Sequence, residues 1–230
     1  IDITAMHRSG HQIPVELSIS AAATVDGSTT FIGFLRDTTE RKRAEALQAL
    51  QLGVTRALSE SPTLEDAVPK ILAQIGTRLD LVLAQWWEVD PAGDALTWKE
   101  SWCAQDFSAA DFIQRSRAIT FQPGSGLLGR AWASGRAAVT ADVELDPDAD
   151  PPRRESALRA GLHGALAFPV LNGLAVTGVL DLSSTRADAF TSEVELALAS
   201  VGSQIGQFVE RRRAEGALQA AGERIAAVLE

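Results

Sequence analysis

Apolar and polar positions change period several times along this chain, and each change marks an element. Ile13, Val15, Leu17 and Ile19 alternate with Pro14, Glu16, Ser18 and Ser20, the period of two expected of a half-buried strand. Asp26-Gly27 is a turn signal, and Phe31, Ile32, Phe34 and Leu35 supply a following apolar strand. His7-Arg8-Ser9-Gly10 marks the turn before. Three strands without a helix bury too little for a core, so residues 1–38 read as the back half of a domain.

From Thr39 the period becomes helical. Leu47, Leu50, Val54 and Ala57 recur at steps of three and four, a seam of coiled-coil width. Thr63 with Asp66 is a capping signal for a second helix reaching about Leu79, which Pro69 should kink. Leu81 to Val89 reads as an apolar, Trp-bearing strand, and Leu96 to Cys103 as its hairpin partner, with Trp98 and Trp102 on one face because they are four apart. A short helix is expected around Ala109 to Ala118. A Gly-rich loop at Gly124 to Gly129, a turn at Ser134-Gly135 and an acidic, Pro-rich loop at Asp142 to Pro152 come next. Ala165 to Val170 and Ala175 to Leu182 pair across Asn172-Gly173, the strongest hairpin signal present. Ser192 with Glu195 reads as a capping box opening a long helix whose seam is Val194, Leu198, Val201, Ile205 and Phe208. The seam resumes one residue out of step at Leu218, Ile225 and Leu229, a slip that re-winds a coiled coil locally.

One cassette occurs twice. Glu40-Arg41-Lys42-Arg43-Ala44-Glu45 returns as Glu210-Arg211-Arg212-Arg213-Ala214-Glu215. Both open charged runs of strong helix formers. In the second, Gly216 stands before Ala217-Leu218-Gln219-Ala220, whereas Ala46-Leu47-Gln48-Ala49 follows Glu45 directly. Two helical connectors bracketing a globular segment are the pattern of a modular relay. The chain begins at Ile1 without Met and ends within a helical pattern at Glu230, so it is expected to be a piece of a longer protein.

Composition narrows the function. The formal charge of -9 argues against nucleic-acid binding, which needs a basic surface. No stretch approaches the roughly 18 apolar residues of a membrane span. A single cysteine, Cys103, fits a reducing, cytoplasmic setting.

Two families resemble these segments. Gly10, Ile13-Pro14-Val15-Glu16-Leu17 and Gly33-Phe34-Leu35-Arg36-Asp37-Thr38-Thr39-Glu40-Arg41 resemble the C-terminal half of a PAS domain, with Thr38 where that family has Ile in its exit motif. Trp86-Trp87-Glu88-Val89-Asp90, the run Pro123 to Gly135, Ala167-Phe168-Pro169-Val170, Val179-Leu180-Asp181-Leu182 and Gln204-Ile205-Gly206-Gln207-Phe208 resemble a GAF domain of bacterial multi-domain sensors. The tail Glu223 to Glu230 is similar to the opening helix of another PAS domain. The resemblance implies an α+β fold: a GAF-type antiparallel sheet with flanking helices, long N- and C-terminal linker helices, and a three-stranded PAS remnant. It also implies the boundaries: residues 1–39 PAS, 40–60 helical linker, 61–208 GAF, 209–230 output linker.

The candidate chemistry is sparse. Gly124-Ser125-Gly126-Leu127-Leu128-Gly129 spells G-x-G-x-x-G, but no buried strand precedes it and no βαβ unit surrounds it, so a tight loop feeding the helix of Trp132 is the better reading. Asp146, Asp148 and Asp150 resemble the start of an EF-hand, yet Pro151 stands in place of its Gly and Ala157 in place of its Glu. Cys103 lacks the neighbouring His of bilin-attaching relatives, and a GAF-fold methionine sulfoxide reductase needs further cysteines. A redox enzyme or redox sensor using Cys103 is the alternative from another class. His163 as a haem ligand is weaker than a structural His. The start and end residues of the cyclic-nucleotide signature are missing. Trp98, Trp102, Phe107, Phe112 and Trp132 either line a small-molecule pocket or pack the core. With Cys103 and His163 they form the candidate pocket, placed between the sheet and the segment from Phe107 to His163. No metal site and no cofactor is evident.

The expectation is a non-catalytic sensory input and transmission module, a parallel homodimer through its linker helices. It would bind an unknown small molecule, or none. The resemblance would place a histidine kinase or diguanylate cyclase downstream; neither a phospho-acceptor His block nor a Gly-Gly-Asp-Glu-Phe signature occurs in this segment.

Overall fold

Three strands open the chain: β1 (Asp2–Met6), β2 (Gln12–Ala23) and β3 (Thr29–Asp37), antiparallel in that order. In this computed structural model residues 1–6, 8, 12–23, 28–187 and 189–229 are described, with Arg213 and residues 216–229 given by backbone alone. The turn signals at His7 to Gly10 and at Asp26-Gly27 thus fall, Arg8 apart, outside the described residues. So do the side chains of the resumed seam at Leu218, Ile225 and Leu229.

The chain divides into two compact units, Ile1–Gln48 and Ala49–Glu230. In the first, Val15 and Thr38 are buried among the described residues, while Phe31, Phe34 and Leu35 are exposed. Thr38 stands at the exit of β3. Its hydroxyl and its N–H both donate to the Pro14 carbonyl, at 3.1 and 3.0 Å. The Asp37 carboxylate then accepts from the Thr39 N–H at 2.8 Å, and α1 (Thr39–Ser59) begins.

The second unit is built on a six-stranded antiparallel sheet. Its members are β4 (Leu83–Val89), β5 (Leu96–Cys103), β6 (Thr120–Phe121), β7 (Ala138–Thr140), β8 (Gly164–Asn172) and β9 (Ala175–Ser184), in the order β6-β5-β4-β9-β8-β7. Alternate residues of each strand point to opposite faces. Ala84, Trp86, Leu166, Phe168, Leu180 and Leu182 enter one core, and Trp87, Ala165, Ala167 and Val179 enter another. With both faces covered, β8 reads as a nearly unbroken apolar run.

On the first face lie α2 (Leu64–Arg78), the second half of α1, and α6 (Ser192–Leu229). Thr63 caps α2, accepting from the Asp66 N–H, and the helix runs on through Pro69. α6 starts at Ser192 itself, one position earlier than a Ser192 cap would allow. Its Gly206 lies against β8 so closely that a Cβ there would sit 2.2 Å from the Leu171 carbonyl oxygen. Gln51 donates to Ser200 at 3.3 Å, Thr55 to Gln204 at 3.0 Å, and Arg212 to the Ser61 carbonyl at 3.1 Å. Because these pairs ascend together, α1 and α6 run parallel. Their seams (Leu50, Val54 and Ala57; Leu198, Val201, Ile205 and Phe208) belong to one buried core within the chain.

The opposite face carries α3 (Ala110–Arg117), α4 (Gly126–Ser134) and α5 (Pro151–Arg159). The last replaces the end of the loop expected at Asp142 to Pro152. Trp98 and Trp102 do not share a face. The register passes from Trp87↔Trp98 to Trp86↔Glu100, so Lys99 is an extra residue in β5 and reverses the alternation beyond it. Trp98 therefore packs with Trp87, while Trp102 packs on the α2 side, where a Cβ at Gly76 would lie 1.9 Å from its ring. Among the described residues no helix is long and apolar enough to cross a membrane.

The first unit buries too little to protect its amides. Hydrogen exchange should be fast in β2 and β3 and slow in β8 and β9, whose side chains fill two cores. Equal protection in the two sheets would show that the three strands have a core of their own.

Candidate functional site

A buried ion pair lies under the second face of the sheet. The register Gln85↔Asp181 puts these two residues side by side on β4 and β9. The Asp181 side chain is 1% exposed, and it accepts from the Arg153 guanidinium and from Gln85 Nε2, the latter at 3.3 Å. Gln85 Oε1 in turn accepts from Trp98 Nε1 at 3.0 Å, and Arg153 Nε donates to Ser116 Oγ at 3.2 Å. The result is one polar chain, Trp98–Gln85–Asp181–Arg153–Ser116, drawn from β5, β4, β9, α5 and α3.

Local sequence delivers Arg153. Asp150 caps α5, its carboxylate accepting from the Arg153 N–H at 2.9 Å, and Pro151-Pro152 form the first turn. The helix thus starts beside the cavity and its third residue projects into it. There the Arg153 guanidinium carbon lies 4.4 Å from the centroid of Phe112, 5.7 Å from Phe121 and 5.8 Å from Trp87. Trp87 meets Phe121 edge to face at 5.2 Å, and its buried indole N–H has no hydrogen-bond partner among the described residues. About 50 Å³ of free space remains, bounded by Phe112, Phe121, Leu127, Val143, Arg153 and Asp181 among others. Such a volume holds a water or two.

The residues expected at a pocket are scattered by the fold. Phe112 lines this cavity. Trp98 stands one step away, at the end of the polar chain, with Arg117 stacked 4.3 Å over its ring. Trp132 packs at the edge of the Trp87 core. Trp102 and Cys103 line a surface depression with Gly76 and Asp80. The Phe107 carbonyl accepts from Cys103 Sγ at 3.3 Å. His163 Nδ1 lies 3.3 Å from Asp142 Oδ1. That carboxyl is held below its ordinary range, first by the Glu144 N–H and then by His163. Asp146 and Asp148 are bound by Arg130 at 3.1 and 2.9 Å. Among the described residues no group of three or more His, Cys, Asp or Glu could hold a metal. Sequence reasoning missed Arg153, Asp181, Gln85 and Ser116. The signal for Arg153 was there, an Asp followed by two prolines, which is a helix start rather than a loop.

A family model described as "GAF domain" matches residues 61–210. The chain belongs to the GAF family. GAF domains are a common sensory and regulatory fold. Solved structures agree on the fold. A GAF domain of a phosphoenolpyruvate-protein phosphotransferase from Coxiella burnetii is 17% identical, with TM-score 0.61 over 76% of this chain and 98% of that one. Free methionine-R-sulfoxide reductase from Neisseria meningitidis, in complex with its substrate, is 18% identical, with TM-score 0.61 over 76% and 93%. The nlh2 GAF domain of A. aeolicus, in an inactive state, is 18% identical, with TM-score 0.57 over 75% and 98%. No curated protein matches the chain.

Two outcomes test this account of the GAF domain. Arg153→Ala leaves the Asp181 carboxylate buried without its cation and should cost about 3–5 kcal/mol in urea unfolding. Glu60→Ala, which breaks an exposed pair with Arg56, should cost far less. Burial pushes the Cys103 thiol up from its ordinary value, so less thiolate is present at any given pH. Its reaction with a disulfide reagent at pH 8 should be several-fold slower than that of free cysteine, reaching the free rate only in denaturant. A native thiol that reacts as fast as free cysteine would revive the redox reading.

Proposed function

We propose that this chain is the sensory input and signal-transmission segment of a bacterial signalling protein. Residues 1–39 would be the back half of a PAS domain, 40–60 a helical linker, 61–208 the GAF domain and 209–230 the output linker. The cytoplasmic parent would carry an effector downstream, a histidine kinase or a diguanylate cyclase, and this segment would itself catalyse nothing.

One observation carries the reading. The helix that enters the GAF domain and the helix that leaves it run parallel and share a core, and that core rests on the back of the strand that holds Asp181. Leu180 and Leu182 of β9 enter the core that the helix pair shares with α2, and Asp181 between them faces the cavity. A change in what Asp181 binds alters β9, and the helices packed on its other side have to adjust, since close-packed interiors transmit strain.

The proposed homodimer has to use other faces of these helices, because Leu50, Val54, Ala57 and the α6 seam are spent within the chain. Leu52 and Leu196 are exposed there.

The relay is tested in the intact parent protein. Deleting Gly216 turns everything beyond it by about 100° relative to the GAF domain and should lock output fully on or fully off. Removing a whole heptad restores the phase and should largely preserve regulation. Unchanged output in both deletions, or a 230-residue chain that sediments as a monomer at high concentration, would dismiss the relay.

A further inference from the structure

The pocket frame and its occupant have opposite characters. What belongs to the sheet and its cover is anionic and aromatic: Asp181 with Gln85 at the floor, Phe112, Phe121 and Trp87 around it, and the Ser116 hydroxyl at the side. What fills it is a guanidinium at the end of a flexible stem, carried by a nine-residue helix. A planar cation stacked on an aromatic face and bonded to a buried carboxylate is how a binding site holds such a group. Here the chain supplies the cation itself.

We propose that the cavity is a receptor site for a small molecule bearing a guanidinium group, and that Arg153 is its tethered stand-in. This deepens the sensory reading of the same pocket. With Arg153 in place, about 50 Å³ is free, far too little for an organic ligand, so any ligand has to displace something. Arg153 is the member that can leave, since its side chain is a flexible stem that can swing out while the Asp150 cap holds its backbone N–H in place. Asp181 cannot leave a strand paired on both sides.

Charge decides which ligand takes its place. An anion drawing Arg153 away would leave Asp181 buried, unpaired and close to a second negative charge. A guanidinium that replaces Arg153 keeps every partner satisfied: the Asp181 carboxylate, the Ser116 hydroxyl and the Phe112 ring each exchange one planar cation for another. The approach favours the same sign. The loop from Asp142 to Asp150 carries Asp142, Glu144, Asp146, Asp148 and Asp150, against which stand Arg130 on Asp146 and Asp148, His163 beside Asp142, and Arg154, which lines the cavity beside the Asp146 carbonyl. The released Arg153 has this acidic loop to pair with outside. Exchange of partners on α5, and not a new charge in the core, would then be the event passed to β9.

The test is direct titration of the 230-residue chain with methylguanidinium and with agmatine, read by calorimetry. A tethered competitor weakens the apparent affinity by the fraction of molecules in which the site is free. The wild-type chain should therefore bind these cations weakly, and Arg153→Met, which keeps an apolar stem and removes the guanidinium, should bind them at least tenfold more tightly. Adding Asp181→Asn to Arg153→Met should abolish the gain. Should Arg153→Met be unfolded alone, millimolar methylguanidinium has to restore its circular dichroism and its cooperative melting while equimolar urea does not. Equal affinity in the wild type and a folded Arg153→Met, or no rescue of an unfolded one, overturns the proposal. So does succinate or phosphate binding that the wild type shows and Arg153→Met loses, which would make the cavity an anion site. These titrations read the pocket without any signalling output, and the linker deletions read the relay with the pocket intact, so either can fail alone.

Discussion

A carboxylate on an inner strand of a sheet covered on both faces has to be paired, because an isolated ion there costs several kcal/mol or more. Asp181 is that residue, and the arrangement of the cavity side follows from supplying its partners. Gln85 reaches it across the β4–β9 register and is itself satisfied by Trp98. Arg153 reaches it from α5, which explains why a short helix, capped by Asp150 and begun by two prolines, stands at this edge of the cavity. Phe112 and Phe121 close around the guanidinium stacked between strand and helices.

The two faces of the sheet are distinct in chemistry and inseparable in mechanics. One is a continuous apolar core shared by α1, α2 and α6, in which Gly206 lets the exit helix lie directly on β8. The other is broken by polar groups and free space. Every inner strand contributes to both, residue by residue, so neither face can repack alone. That coupling is what the proposed relay uses: the entering and leaving helices lie on the apolar face, opposite the cavity that holds Arg153.

The first unit stands in contrast. Its strands are long and well registered, yet Phe31, Phe34 and Leu35 remain uncovered. Its organised feature is the exit, where Thr38 is buried by two bonds to the Pro14 carbonyl just before α1 starts. The Thr38 hydroxyl thus finds an acceptor, and the strand end is tied to β2 at the point where the connector leaves.

Much of the fold was legible from Thr39 onwards because its signals are local. The hairpin expected across Asn172-Gly173 turns one residue later, on Gly173-Leu174, with Asn172 still paired to Ala175 and the positive φ at Gly173; Thr63 and Asp66 specify a helix start by one hydrogen bond, and the seams of α1 and α6 follow from a period of 3.6. The candidate site was not legible, for two physical reasons. An extra residue at Lys99 reverses the alternation of β5, and a bulge leaves no mark in a hydrophobic pattern, so Trp98 and Trp102 were read onto one face and lie on two. The pairing of Asp181 with Arg153 and Gln85, and of Arg153 with Ser116, joins residues 28 to 96 positions apart, and in sequence an aspartate in an apolar strand looks the same whether it is exposed or buried. Local order set the elements; which charge met which ring was decided by how β9, α3 and α5 came together.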